Sequence, residues 1–95
     1  MSRDELLTKL RELKPWLAEQ GVVNLRLFGS FARDEAGPDS DVDLLVDIVK
    51  PMGWNMFGIE RALGEKLGGR DVEFCTERAM NRIIRARVLP EAIAV

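Results

Sequence analysis

The stretch Leu27-Phe28-Gly29-Ser30-Phe31-Ala32-Arg33, followed after a short polar loop by Ser40-Asp41-Val42-Asp43-Leu44-Leu45-Val46, organises the rest of the chain. An apolar run stops at Gly-Ser, a few residues of helical character follow, and a second apolar run opens on two aspartates. Side chains on a strand alternate between faces, so Asp41 and Asp43 project from the same one. Gly29 lets backbone approach a ligand closely, and Ser30 stands where a helix N-terminus would offer free N–H groups to an anion. Phosphates at the Gly-Ser turn and metal at the aspartates form the simplest joint reading.

Working outward, Ser2-x-x-Glu5 is a capping box, and Leu6, Leu10, Leu13 and Leu17 recur at helical spacing. They predict a helix from Arg3 to Glu19, closed by Gly21, with Pro15 as a point of kinking or division. Val22 to Phe28 reads as strand one, Gly29 to Glu35 as a short helix, and Ala36 to Ser40 as a turn. Asp41 to Ile48 is strand two, largely apolar after its aspartates, as a central strand should be. Pro51-Met52-Gly53 breaks the chain before a helix marked by Met56, Ile59, Leu63 and Leu67 and ended by Gly68-Gly69. Asp71 to Cys75 is strand three. Thr76 is the expected N-cap of a last helix with an apolar face of Met80, Ile83, Ile84 and Val88, and Pro90 follows its end. The fold class is α/β (α+β): a small mixed three-stranded sheet packed with helices, in a single domain spanning residues 1–95.

Composition narrows the chemistry. With 95 residues, 46% hydrophobic and 32% charged, the chain has the profile of an ordinary soluble globular domain. No apolar run approaches the ~20 residues of a membrane span, and the charged amphipathic N-terminus differs from a signal peptide, so the expected location is cytoplasmic. Net charge is −2, from 14 basic and 16 acidic residues, which is no nucleic-acid footprint. The lone Cys75 excludes intrachain disulfides and multi-cysteine zinc sites. There is no histidine, which removes Ser-His-Asp triads and histidine bases. Any catalysis rests on carboxylates, metal ions, hydroxyls, Lys or Arg.

Two aspartates about 4 Å apart repel by roughly 4 kcal/mol at a partly buried site, so keeping both ionised calls for a cation. Without histidine or paired cysteines, that cation is hard and oxygen-loving, magnesium or manganese rather than zinc. An isolated Asp-x-Asp reads equally as a strand-end cap beside a solvent-facing carboxylate, and an isolated Gly-Ser as a simple N-cap. Their arrangement in tandem favours the site.

Gly29-Ser30-x-Ala32-Arg33 followed by Ser40-Asp41-x-Asp43-Leu44-Leu45-Val46 resembles the signature of the polymerase-beta-like nucleotidyltransferases. More narrowly it is similar to their minimal nucleotidyltransferase (MNT) domains, which pair with HEPN-domain toxins in prokaryotic toxin–antitoxin modules. The resemblance extends over nearly the whole chain, including Asp71-Val72-Glu73-Phe74 and the ending Arg85 to Val95. It implies a nucleotide site in which Gly29 backbone and the Ser30 hydroxyl hold the β- and γ-phosphates of ATP. Arg33 then supports phosphate or the loop, or is a plain surface arginine. It also implies two divalent ions, Mg2+ or Mn2+, with Asp41, Asp43 and Glu73 as metal-binding and catalytic carboxylates. The implied reaction moves AMP from ATP to a tyrosine hydroxyl of a HEPN-domain toxin, an antitoxin activity with no direct nucleic-acid or membrane partner. An oligomeric complex is compatible with it.

Two departures from the family pattern stand out. Glu73 occupies a position where the family usually has Asp, and Asp34 one where Gly commonly follows Ala-Arg. Together they support the alternative of a non-catalytic antitoxin that neutralises its partner by binding alone. Arg78, Arg82 and Arg85 fall at helical spacing off the apolar face of the last helix, a solvated face or a docking stripe. Trp16 and Trp54 read as core or core-edge residues, Met52, Met56 and Phe57 as buried residues or an exposed partner patch, and Cys75 as a small buried hydrophobe.

Overall fold

A computed structural model describes residues 1–51 and 55–95, so the expectations placed on Met52, Gly53 and Trp54 lie outside the described residues. The first helix, α1 (Arg3–Glu19), begins at Ser2, whose Oγ accepts the Glu5 N–H at 3.1 Å and donates to Glu5 Oε1 at 3.3 Å. Pro15 does not divide it. The carbonyl that Pro15 leaves without a donor belongs to Arg11, and both residues are exposed, so water can serve it. Leu6, Leu7, Leu10 and Leu17 are buried along one stripe, and Gly21 turns the chain at φ 89°.

Strands β1 (Val22–Phe28) and β2 (Val42–Ile48) pair antiparallel, from Val22 opposite Ile48 to Phe28 opposite Asp43. The register slips between Val23 and Arg26, where Asn24 takes φ 55° and donates from Nδ2 to Asp47 Oδ2 at 2.7 Å. The next helix, α2 (Asn55–Lys66), supplies the crossover that a parallel pair requires, and β3 (Val72–Cys75) lies parallel to β2. Leu25, Leu27, Val42, Leu44, Val46 and Phe74 turn one sheet face into a core with α1, Leu63 and Leu67. Asp43, Leu45 and Asp47 have the opposite parity on β2 and face the other way.

Five expectations are corrected. Gly29 to Glu35 is one turn, not a helix. Its closures widen from Arg33 N–H on Gly29 O to Glu35 N–H on Ser30 O, and Asp34, left-handed at φ 59°, ends it. The sheet has four strands, in the order β3-β2-β1-β4. The added strand, β4 (Ile93–Ala94), is too short to leave a periodic pattern and pairs antiparallel with Leu27 and Arg26. The last helix, α3 (Arg82–Glu91), is capped by Asn81, whose Oδ1 accepts the Ile84 N–H at 2.9 Å. Thr76 caps only a 3-10 turn, Glu77–Ala79, and Pro90 lies inside α3 rather than beyond it. Of the apolar face expected for that helix only Val88 is buried; Ile83 is 70% and Ile84 48% exposed. Helical period identifies a stripe, but whether anything packs on it is settled elsewhere in the chain.

Candidate active site

Sheet topology gathers the residues singled out by sequence. Antiparallel pairing sets the end of β1 beside the start of β2, and parallel pairing sets the start of β3 beside it too. Asp43 therefore lies between Phe28 on one side and Glu73 on the other. Gly29 follows Phe28 directly, at φ 79°, and a Cβ built there would overlap Asp43 Oδ2. Glycine is thus required twice at this position, for its backbone conformation and for the space.

The turn after Gly29 is held from below. Phe31 and Ala32 are buried in the core, and the guanidinium of Arg70 lies 5.1 Å from the Phe31 ring centroid. Ser30 and Arg33 remain at the surface. A single turn carries little macrodipole, so an anion here would meet individual N–H groups rather than a helix end. The loop back to β2 is fixed by Ser40 Oγ, which accepts the Gly37 N–H at 2.8 Å.

Electrostatics confirm that the carboxylates are crowded. Partial burial, then the charges of Glu73 and Asp41, push the Asp43 carboxyl up to about 6, against the opposing pull of Arg33. Burial likewise pushes the Cys75 thiol up to about 11, with Glu73 and Asp43 adding to it, so this half-buried cysteine is a poor nucleophile. Among the described residues no three acidic, cysteine or histidine side chains converge into a ready metal cage. The donors present are carboxylate oxygens, which suit a hard divalent ion. Magnesium in particular is commonly held by one or two carboxylates together with substrate phosphates and water.

One participant carries no sequence signal. Glu91, at the end of α3, accepts the Gly29 N–H on Oε1 at 3.2 Å, and Arg33 Nη1 reaches both of its oxygens at 3.3 and 3.2 Å. Because β4 runs antiparallel to β1, the residues just before it must arrive beside Gly29. The short β4 is therefore what places Glu91, and without that strand its position is illegible. Arg33 also binds Glu35 at 3.1 Å, and its two acidic neighbours hold the guanidinium above its ordinary range. Arg78 lies on the 3-10 turn and Arg82 and Arg85 on α3, all exposed.

Several surface concavities lie away from this cluster. One of about 400 Å3 lies between α2 and the outer side of β3, lined in part by Phe57, Glu60, Gly64 and Asp71, and contains none of these residues. The cluster itself is an edge of sheet open to solvent on one side, where Asp41 is exposed and Asp43 half-buried.

A mixed sheet with helices, carrying an Asp-x-Asp strand start between a Gly-Ser turn and a third acidic strand, defines the nucleotidyltransferase class. The nucleotidyltransferase domain model matches residues 3–88, and the chain belongs to that family, as an MNT-type domain and a nucleotidyltransferase. A solved structure described as a minimal nucleotidyltransferase superposes with a TM-score of 0.82 at 35% identity, covering 100% of this chain and 97% of that one. The protein adenylyltransferase MntA of Thermococcus cleftensis is 34% identical over 100% of this chain and 97% of its own. A Methanocaldococcus jannaschii chain that also bears a protein adenylyltransferase name is 31% identical, over 90% of this chain and 91% of its own.

Proposed function

We propose that this chain transfers AMP from ATP to a hydroxyl, a tyrosine, of a partner HEPN-domain toxin and so acts as its antitoxin. The observation that carries the reading is the convergence of Asp43, Glu73 and Gly29 at one sheet edge, in a chain whose relatives are named protein adenylyltransferases. Gly29 N–H, Ser30 and Arg33 bind the β- and γ-phosphates. Asp41, Asp43 and Glu73 would hold two divalent ions, Mg2+ or Mn2+, and such ions would supply charge neutralisation at the phosphates and a lowered pKa for the acceptor hydroxyl. The acceptor oxygen forms a bond to the α-phosphorus while the bond to the bridging oxygen breaks, and pyrophosphate leaves with that electron pair. The hydroxyl proton passes to Glu73 or to solvent. Positioning and charge neutralisation carry most of such a transfer, which explains how a protein without histidine could perform it.

Neutralisation by binding alone is favoured by a different observation: Arg33 already has two acidic partners, and Asp34 adds charge beside them. The discriminating experiment incubates the chain with ATP, magnesium and a HEPN-domain partner, then reads adenylyl mass on the partner's tyrosines. The expected result is modification by wild type and none by Asp43→Asn, with complex formation intact. Should Asp43→Asn still silence the partner, the enzymatic reading fails.

A further inference from the structure

Glu91 contacts both groups assigned above to phosphate. Its Oε1 accepts the Gly29 N–H at 3.2 Å, and its two oxygens lie 3.3 and 3.2 Å from Arg33 Nη1. A carboxylate is thereby seated on the donors that an anionic ligand would use.

The local structure opposes that seat. Glu91 is the last residue of α3, where the negative end of the helix dipole disfavours an anion, and no basic residue lies in that last turn. Asp43 is close enough for the two negative charges to repel. Apart from its C-terminal end, which β4 ties to β1, the helix that carries Glu91 is lightly packed: Val88 is its single buried residue, while Ile83, Ile84 and Leu89 are exposed. Segments with few buried apolar contacts move at low free energy. A carboxylate held against its helix dipole by two donors, on such a segment, is placed to yield to an anion with more oxygens and more charge.

We infer that Glu91 is an internal stand-in for phosphate, a latch that occupies the triphosphate subsite and is displaced when nucleotide binds; the inference rests on the reading of Gly29 and Arg33 as phosphate donors. The resting chain is then self-inhibited at its own anion site. Its affinity for triphosphate is lower than the site's geometry allows, because each binding event must first release Glu91. Movement of α3 is coupled to occupancy of the site, so whatever restrains or frees that helix tunes nucleotide binding.

The test titrates isotope-labelled full-length chain with inorganic tripolyphosphate and, separately, with magnesium-ATP, following the Gly29 amide resonance. Wild type is compared with Glu91→Gln and Glu91→Ala. The glutamine variant keeps an acceptor for the Gly29 N–H and so preserves the fold; the alanine variant removes the group altogether. The latch predicts binding about tenfold tighter in Glu91→Ala, the order expected when one charge-assisted hydrogen bond no longer has to be given up, and a smaller gain in Glu91→Gln, which keeps a neutral acceptor. Equal or weaker binding in the variants, with the Gly29 resonance still shifting, overturns the latch and leaves the phosphate site standing. Binding that leaves Gly29 unmoved, or no binding by any of the three proteins, overturns the phosphate reading and the latch with it.

Discussion

Asp43 is asked to be three things at once: a strand residue, a neighbour of Gly29 and one of several carboxylates. The third role is unfavourable without a cation, and it has a measurable sign. Its folded-state pKa, about 6, stands above the ordinary 3.8, so ionisation is harder in the folded protein than in the unfolded one. The stability this group contributes is complete below pH ~4 and is lost as pH rises through ~6. The side chain is only half-buried, and with solvent screening the loss is on the order of 1 kcal/mol. In chelator-treated protein, Asp43→Asn should therefore be more stable than wild type at pH 7 by about that amount, with the gap closing towards pH 4. Urea midpoints of the two proteins across that range measure it, and subtracting them cancels the other carboxylates. Asp34 shows what residue-level reading can and cannot see. As an acid after Ala-Arg it is visible in the sequence, but its left-handed φ of 59° is not. That conformation explains why glycine would be at ease there, and Asp is among the few other residues that tolerate it.

At the scale of elements, α1, β1 and α2 were legible because each carries its own punctuation: a capping box and leucine period, a branched run between glycines, a pair of closing glycines. The failures share a cause. β4 has two residues and exists only because β1 offers an edge. The turn at Gly29 has helical composition but ends within five residues. The stripe on α3 has helical period yet mostly faces solvent, since period says nothing about cover. Two substitutions turn this into numbers. Val88→Ala should cost about 1–2 kcal/mol, whereas Ile83→Ser should change stability by less than ~0.5 kcal/mol, reversing what the sequence pattern implies. Chemical unfolding of both variants decides it. Gly64 gives the sharper case, because helix propensity alone says that alanine should stabilise α2 by ~1 kcal/mol. The Gly64 carbonyl, however, accepts the Gly69 and Arg70 N–H groups at 2.9 and 3.1 Å, and an added Cβ would overlap the Arg70 carbonyl oxygen. Gly64→Ala is expected to destabilise by about 1–3 kcal/mol, the range for forced overpacking. A rise in the urea midpoint would show that the loop after α2 yields more easily than its hydrogen bonds suggest.

For the whole molecule, the strand order β3-β2-β1-β4 does the assembling. Four separated pieces of chain, ending at Gly29, beginning at Val42 and Val72, and preceding Ile93, are brought to one sheet edge by pairing direction alone. Sequence revealed three of them through their motifs; the fourth, Glu91, became visible only with β4 in place. An edge that concentrates carboxylates, without a histidine to share their protons, is tuned against itself, and on the proposed function a divalent cation and a phosphate chain arriving together would relieve it. Ligand and stability are then tightly linked. A ligand at 100 times its dissociation constant adds ~2.7 kcal/mol, and a domain of this size moves roughly 4–8 °C per kcal/mol, so magnesium-ATP should raise the melting temperature by on the order of 10–20 °C. ATP with chelator should raise it far less. Asp43→Asn should start from a higher melting temperature than metal-free wild type and gain little from the ligand, so that the ranking of the two proteins inverts on addition of magnesium-ATP. That inversion is the signature of a carboxylate kept for its cation and not for the fold. A variant that starts lower, or that gains as much as wild type, would assign Asp43 to structure and leave the binding-only antitoxin as the better account.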